Sequence, residues 1–247
     1  MGAIFTYQSI AESDPILKER TFNEAITDII VETDNSKIEI LPAQDETTKV
    51  EFTGDTSKKS RYNLEADVED GTLKIKVKGK ILQFFNFDFN FKSVVTRVYL
   101  PENTYNSLVA ETENGGITVE EITFAELRGE SINGGILLKD LDTQSVQLKS
   151  ENGKIDLTEV EGELQAEVTN GAINLKTESL DRPIDFETVN GKIMIQVNEE
   201  PENLTMDVEV VNGSVDVFGS DNRHTVIGQG DNQIRLQTVN GSIKVRK

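Results

Sequence analysis

The pair Asn-Gly occurs seven times between residues 114 and 241 of this 247-residue chain. It stands at Asn114, Asn133, Asn152, Asn170, Asn190, Asn212 and Asn240, with spacings of 19, 19, 18, 20, 22 and 28 residues. A near-fixed period of this length marks stacked supersecondary units, so it constrains the fold more than any local propensity does. Three residues after each Asn stands a β-branched aliphatic: Ile117, Ile136, Ile155, Ile173, Ile193, Val215, Ile243. Five after it stands another aliphatic: Val119, Leu138, Leu157, Leu175, Ile195, Val217, Val245. Two before it a small or β-branched residue recurs: Thr112, Ser131, Ser150, Val168, Thr188, Val210, Thr238. Weaker copies lie upstream at Asn35-Ser36-Lys37-Ile38-Glu39-Ile40 and Asp70-Gly71-Thr72-Leu73-Lys74-Ile75.

Polar and apolar residues alternate on both sides of each Asn-Gly, which predicts two short strands per repeat with one face buried. Glycine accepts positive φ and Asn tolerates it, so the pair predicts a tight corner. Two architectures fit: stacked coils of a parallel solenoid, or an antiparallel meander with type I′ hairpins at each Asn-Gly. Recurrence of both aliphatic positions in all seven copies favours stacking. So does the low hydrophobic content of 36%, which suits a thin core. The expected fold is all-β, a single-stranded, right-handed parallel β-helix of about 19-residue repeats with Asn-Gly corners. The expected organisation is an N-terminal cap over residues 1–30, supplied by Leu17, Phe22, Ile26, Ile29 and Ile30, then one solenoid domain over 31–247. That domain is irregular to about residue 107 and regular over 108–247. The last strand, Ser242–Lys247, is expected to form an uncapped edge blunted by its basic residues.

Composition narrows the function. Acids outnumber bases 44 to 25, a net charge of −19, which disfavours nucleic acid as a partner. There is no cysteine and a single histidine, His224, so thiolate metal sites, histidine-rich metal sites and the familiar nucleophile constellations are missing. No cofactor is expected. No apolar run is long enough for a membrane-spanning helix. The N-terminus lacks the basic region and apolar core of a signal peptide. It fits the loose pattern M-G-x-x-x-[ST], a match short enough to arise by chance.

The iterated [ST]-x-N-G-x-[IV]-x-[LV] pattern is preceded by Val98-Tyr99-Leu100-Pro101 and Leu108-Val109-Ala110-Glu111-Thr112. Together these resemble the bacterial β-strand-repeat family labelled "putative adhesin", whose LiaG-like members are associated with the Gram-positive envelope stress response. The resemblance covers roughly residues 20–247. It implies a right-handed β-helix outside the cytoplasmic membrane, with no established enzymatic activity and no catalytic motif to transfer. Many members carry an N-terminal membrane helix, and this sequence departs from them there. It therefore reads as an excised extracytoplasmic domain or as a soluble, cytoplasmic relative.

Several features are candidates for function. The Asn column reads as a structural ladder; the calcium β-roll motif G-G-x-G-x-D-x-U-x is absent. Acidic clusters such as Glu159/Glu161/Glu163 and Glu199/Glu200/Glu202 read as solvated faces, with loose divalent-cation binding as the alternative. Lys74, Lys76, Lys78 and Lys80 form a basic stripe on one strand face. Phe85, Phe87, Phe89 and Phe91 follow as an aromatic stripe. Together these stripes are either core packing with lysines guarding an edge, or a contact site for an anionic polymer, a lipid interface or a protein. A catalytic reading would pair Asp156 with an acid on a neighbouring coil. The expected function is a non-enzymatic, adhesin-like interaction or scaffold module of the cell envelope. Its partner would be an envelope polymer or a protein, and a homodimer is compatible with it. A polysaccharide-active enzyme and a ligand-sensing regulatory module are the alternatives.

Overall fold

The computed structural model describes residues 6–7, 16–54, 60–81 and 94–247. The described residues form nineteen strands and no helix, and the strands join one sheet around one core. The first eight strands are β1 (Thr6–Tyr7), β2 (Ile16–Phe22), β3 (Asp28–Thr33), β4 (Lys37–Pro42), β5 (Thr48–Gly54), β6 (Ser60–Glu69), β7 (Thr72–Ile81) and β8 (Val95–Leu100). Then come β9 (Thr104–Thr112), β10 (Ile117–Glu120), β11 (Thr123–Ser131), β12 (Ile136–Asn152), β13 (Ile155–Val160), β14 (Glu163–Asn170) and β15 (Ile173–Thr177). The chain closes with β16 (Ile184–Val197), β17 (Leu204–Val217), β18 (His224–Ile227) and β19 (Asn232–Arg246).

Parallel pairing organises the repeats on two faces, one before each Asn-Gly step and one after it. The preceding face runs β7, β3, β9, β11, β12, β14, β16, β19, β17. The following face runs β8, β4, β10, β12, β13, β15, β16, β19, β17. The long strands β12, β16, β17 and β19 contribute to both. In-register pairing stacks like on like. Ile38, Ile117, Ile136, Ile155, Ile173, Ile193, Ile243 and Val215 make one core column. The columns accommodate size changes locally: Gly129 is followed by Leu148, and Ala166 by Phe186. One apolar face per strand is enough, because the opposite face of the sheet is in water.

The stacking order departs from chain order at both ends. By period alone the repeat at Asn212 follows Asn190, and the one at Asn240 ends the stack. The structure instead inserts β19 between β16 and β17. The expectation of an exposed C-terminal edge is therefore corrected: Ser242–Val245 is flanked by neighbours on both sides, and Arg246 pairs with β16 alone. The long gap after β17 is a hairpin, with β18 folding back antiparallel from Leu204↔Ile227 to Asp207↔His224. The outer edge of β17 is further blocked by Arg223. Its carbonyl accepts from the Val208 N–H at 2.8 Å, and its guanidinium donates to the Val210 carbonyl at 3.0 Å.

At the other end the coil at Asn35 stacks directly on the coil at Asn114, and residues between them build the cap. β3, which carries Ile29, lies inside the stack between β7 and β9. The antiparallel pairs β1–β2, β2–β5, β5–β8 and β6–β7 close that end. The expected weak repeat at Asp70-Gly71 is a hairpin turn joining β6 to β7. Both residues are left-handed, with φ of 49° and 78°, the type I′ signature.

Candidate functional site

The residues around each Asn-Gly step hold the stack together. Asn side chains donate down one line, Nδ2 to Oδ1. The line runs from Asn114 to Asn35, Asn133 to Asn114, Asn152 to Asn133, Asn170 to Asn152, Asn190 to Asn170, Asn240 to Asn190 and Asn212 to Asn240, at 2.9–3.1 Å. None of these asparagines is left-handed, so the tight-corner argument from positive φ does not account for the pair. Close approach accounts for the glycine: a Cβ on Gly134 would overlap the Gly115 carbonyl, and one on Gly153 the Gly134 carbonyl. Where the residue two before the Asn is Ser or Thr, its hydroxyl supplies a third contact. Ser131 donates to the Gly115 carbonyl (2.8 Å), Ser150 to Gly134 (3.0 Å), Thr188 to Gly171 (3.2 Å) and Thr238 to Gly191 (3.2 Å). With amide, glycine and hydroxyl all committed to neighbours, this column is structural.

The lysine stripe lies on β7, at the capped end, with Leu73, Ile75 and Val77 turned into the core. Its charge is locally answered. Lys74 bonds Glu69 at 2.7 Å, and that contact raises the lysine pKa and lowers the carboxylate's. Lys76 pairs with Glu32 at 3.0 Å. Lys78 is exposed. The side chain of Lys80, and Phe85, Phe87, Phe89 and Phe91 entirely, lie outside the described residues.

The outer face carries acids in register. Glu32, Glu111 and Glu130 stack on consecutive strands, followed by Lys149, Glu167 and Glu187. The first four border a groove of about 430 Å³ that also includes Asp34, Glu113 and Glu151. Among the described residues no group of three or more acids or histidines is arranged to hold a metal ion. The acidic clusters singled out in the sequence are partly engaged: Glu161 pairs with buried Arg182 at 3.0 Å, Glu159 accepts the Glu178 N–H, and Glu200 faces Lys247.

Asp156 does not gain a carboxylate partner. Its in-register neighbours are Leu137 and Asn174. It pairs with Lys154 at 2.6 Å and accepts from the Asn174 amide at 2.8 Å. His224 is exposed and contacts Asp207 at 2.7 Å. The second end of the stack holds what the sequence reading missed: exposed Phe218 beside a cluster of Lys244, Arg246 and Lys247. The signal was present in Phe218-Gly219, a turn pair with Phe where Asn is usual.

These features define an all-β protein of solenoid-like repeats with a committed asparagine ladder along one exposed side and a charged outer face. The Toastrack DUF4097 family profile matches residues 26–155 and 117–246. The chain belongs to this family, whose repeats the two overlapping matches follow in turn. No match is found among curated proteins. Among solved structures the chain resembles a "putative cell adhesion protein" of Clostridium sporogenes, at 14% identity, 94% of this chain and 99% of that one, TM-score 0.42. It also resembles a "putative adhesin" of Bacteroides fragilis (15%, 93% and 96%, TM-score 0.48) and a "putative lipid binding protein" of Parabacteroides distasonis (14%, 94% and 97%, TM-score 0.37). Among the described residues no helix is long and apolar enough to cross a membrane.

Proposed function

We propose that this chain is a non-enzymatic, adhesin-like interaction or scaffold module of the bacterial cell envelope, acting outside the cytoplasmic membrane. The observation that carries the reading is the register of the outer face. Parallel pairing lines up side chains of successive repeats about 4.8 Å apart, a fixed array suited to an extended or repetitive partner. The coil is taken as right-handed, with the Asn-Gly steps at its corners, as the family resemblance implies. The domain division is taken as an N-terminal extension over residues 1–30, which adds β2 to the capped end, and one repeat domain over 31–247. The contact site proposed on chemistry is the stripe of Lys74, Lys76, Lys78 and Lys80 with the aromatic residues Phe85, Phe87, Phe89 and Phe91. Lysines there would meet anionic groups of an envelope polymer, and the aromatic side chains would add apolar contact. The polysaccharide-enzyme reading lacks support at Asp156, which has no acid beside it in either neighbouring coil.

The test is retention of the purified protein on isolated Gram-positive cell walls at low and high salt, with the Phe87→Ser/Phe89→Ser double variant alongside. Salt-sensitive retention lost in a folded double variant is the expected result. Absence of retention on walls removes the envelope-polymer reading and leaves a protein partner or a second copy of the chain. Unfolding of the double variant makes the aromatic stripe core and refutes the contact site.

A further inference from the structure

At the end of the stack formed by β17 and β19, an open groove of about 710 Å³ is lined by Pro201, Phe218 and Ile227 with Lys244, Arg246 and Lys247, and by the acids Asp216 and Glu200. Its residues are independent of the lysine and phenylalanine stripes. Three cations converge there in a chain of net charge −19. Lys244 is answered by Asp216 at 3.0 Å and Lys247 by Glu200 at 3.7 Å. Among the described residues Arg246 is within ion-pair distance of no carboxylate.

Phe218 is the second, independent observation. It is left-handed, with φ of 49°, as is Gly219 at 82°, and the turn is closed by Val217 and Ser220 bonding each other in both directions. This is the type I′ geometry in which Asn-Gly is relaxed and a bulky aromatic is strained. Burial does not fully offset the strain, for Phe218 keeps 37% of its surface exposed. A strained aromatic left partly in contact with water, in a groove that also holds Arg246, offers an apolar ligand a surface to cover.

We propose that this groove binds a single-chain anionic amphiphile, with the alkyl chain against Phe218, Ile227 and Pro201 and the anionic head at Arg246. The occupant is one molecule rather than a bilayer surface. The groove has the volume of a small-molecule site, and the net negative charge of the chain opposes docking on an anionic membrane.

Isothermal titration with sodium decanoate below its micellar concentration tests this, with decyltrimethylammonium as the same tail bearing the opposite charge. Saturable one-to-one binding of decanoate and none of the cation is expected. Arg246→Gln should weaken decanoate binding at least five-fold with an unchanged thermal midpoint. Phe218→Asn should abolish binding while raising the thermal midpoint, because Asn relaxes the turn. That combination separates a ligand role from a structural one. No decanoate binding, equal binding of both amphiphiles, or full binding by both variants overturns the proposal. Flotation with phosphatidylglycerol vesicles when free decanoate does not bind replaces it with a membrane-facing surface.

Discussion

The hydroxyl that stands two residues before five of the seven Asn-Gly pairs predicts a pair of substitutions of opposite sign. Thr188 is fully buried and donates to the Gly171 carbonyl of the neighbouring coil at 3.2 Å. Thr188→Val keeps the shape, opens no cavity and removes that one donor, so its cost is one buried hydrogen bond, about 1 kcal/mol. Val168 and Val210 are natural versions of the same replacement. Val168 Cγ1 stands 3.2 Å from where a Cβ on Gly171 would lie, and Thr188 Oγ1 stands 3.0 Å from the equivalent point on Gly191. A threonine at 168 would therefore place its oxygen where the hydroxyl sits in the other repeats, within reach of the Gly153 carbonyl. Val168→Thr should stabilise by up to about 1 kcal/mol, less the desolvation of the new hydroxyl. For a chain of this size each kcal/mol moves the thermal midpoint by about 2–4 °C. Thermal and urea unfolding of the two single variants and the double variant read the effect. The expected outcome is a lower midpoint for Thr188→Val, a higher one for Val168→Thr, and a double variant near the parent. A neutral Thr188→Val together with a destabilising Val168→Thr would refute the idea that this hydroxyl column bonds coil to coil.

Three further outcomes follow from the same packing. Asn152→Ala removes two ladder bonds, to Asn133 and from Asn170, and should cost about 1–2 kcal/mol in urea unfolding; Asn212→Ala, which holds one bond at the end of the line, should cost about half as much. Asp28 is held below its ordinary pKa of 3.8, chiefly by the Ser107 hydroxyl. Burial pushes Glu39 up from 4.5, but the Lys37 hydrogen bond and the charges of Lys37 and Arg97 outweigh it. Depressed folded-state values contribute stability that is present above these pH values and lost as pH falls through and below them. Asp28→Asn and Glu39→Gln should each flatten the acid limb of a stability-against-pH curve. Glu111 lies between Glu32 and Glu130 in register, and like charges about 4.8 Å apart in water repel by under about 1 kcal/mol per pair before screening. Glu111→Gln should raise the thermal midpoint at low salt, with the gain shrinking as salt is added.

The periodic part of the sequence made the core legible: the aliphatic positions three and five after each Asn are the residues that stack. What it left open was order. Val215 and Ile243 satisfy the same column equally well, so nothing in the repeat itself decides whether β17 or β19 sits next to β16. That choice rests on the β17–β18 hairpin and on Arg223 blocking the outer edge, contacts between residues outside the pattern. The N-terminal cap was obscured for a similar reason. Its antiparallel strands interrupt the stack between Asn35 and Asn114, partners 79 residues apart in sequence. At the contact sites, alternation placed Lys74, Lys76 and Lys78 on one face, but their neutralisation by Glu32 and Glu69 needed the pairing of β7 with β3 and the β6–β7 turn.

The residue pair that organises the chain shows why such words need a backbone to interpret them. At Asn133-Gly134 the glycine admits a neighbouring carbonyl, and the Asn takes its place in a ladder without a left-handed backbone. At Asp70-Gly71 nearly the same word is a left-handed hairpin turn, because β6 and β7 run antiparallel; the Gly71 carbonyl there accepts from the Thr27 and Asp28 N–H groups at the start of β3. At Phe218-Gly219 the hairpin geometry persists, but the residue that relaxes it has been replaced by one that strains it. The first use stabilises the stack, and the second closes its capped end. The third leaves an aromatic ring partly exposed beside Arg246, which has no ion-pair partner among the described residues, and neither stacking nor capping requires that arrangement. A requirement from outside the fold is the reading that gives such a residue a purpose, and Phe218→Asn tests it directly. If the asparagine both stabilises the protein and silences the groove, stability was given up at this turn for binding. If it stabilises the protein and decanoate binding is unchanged, the strain at Phe218 serves no ligand there.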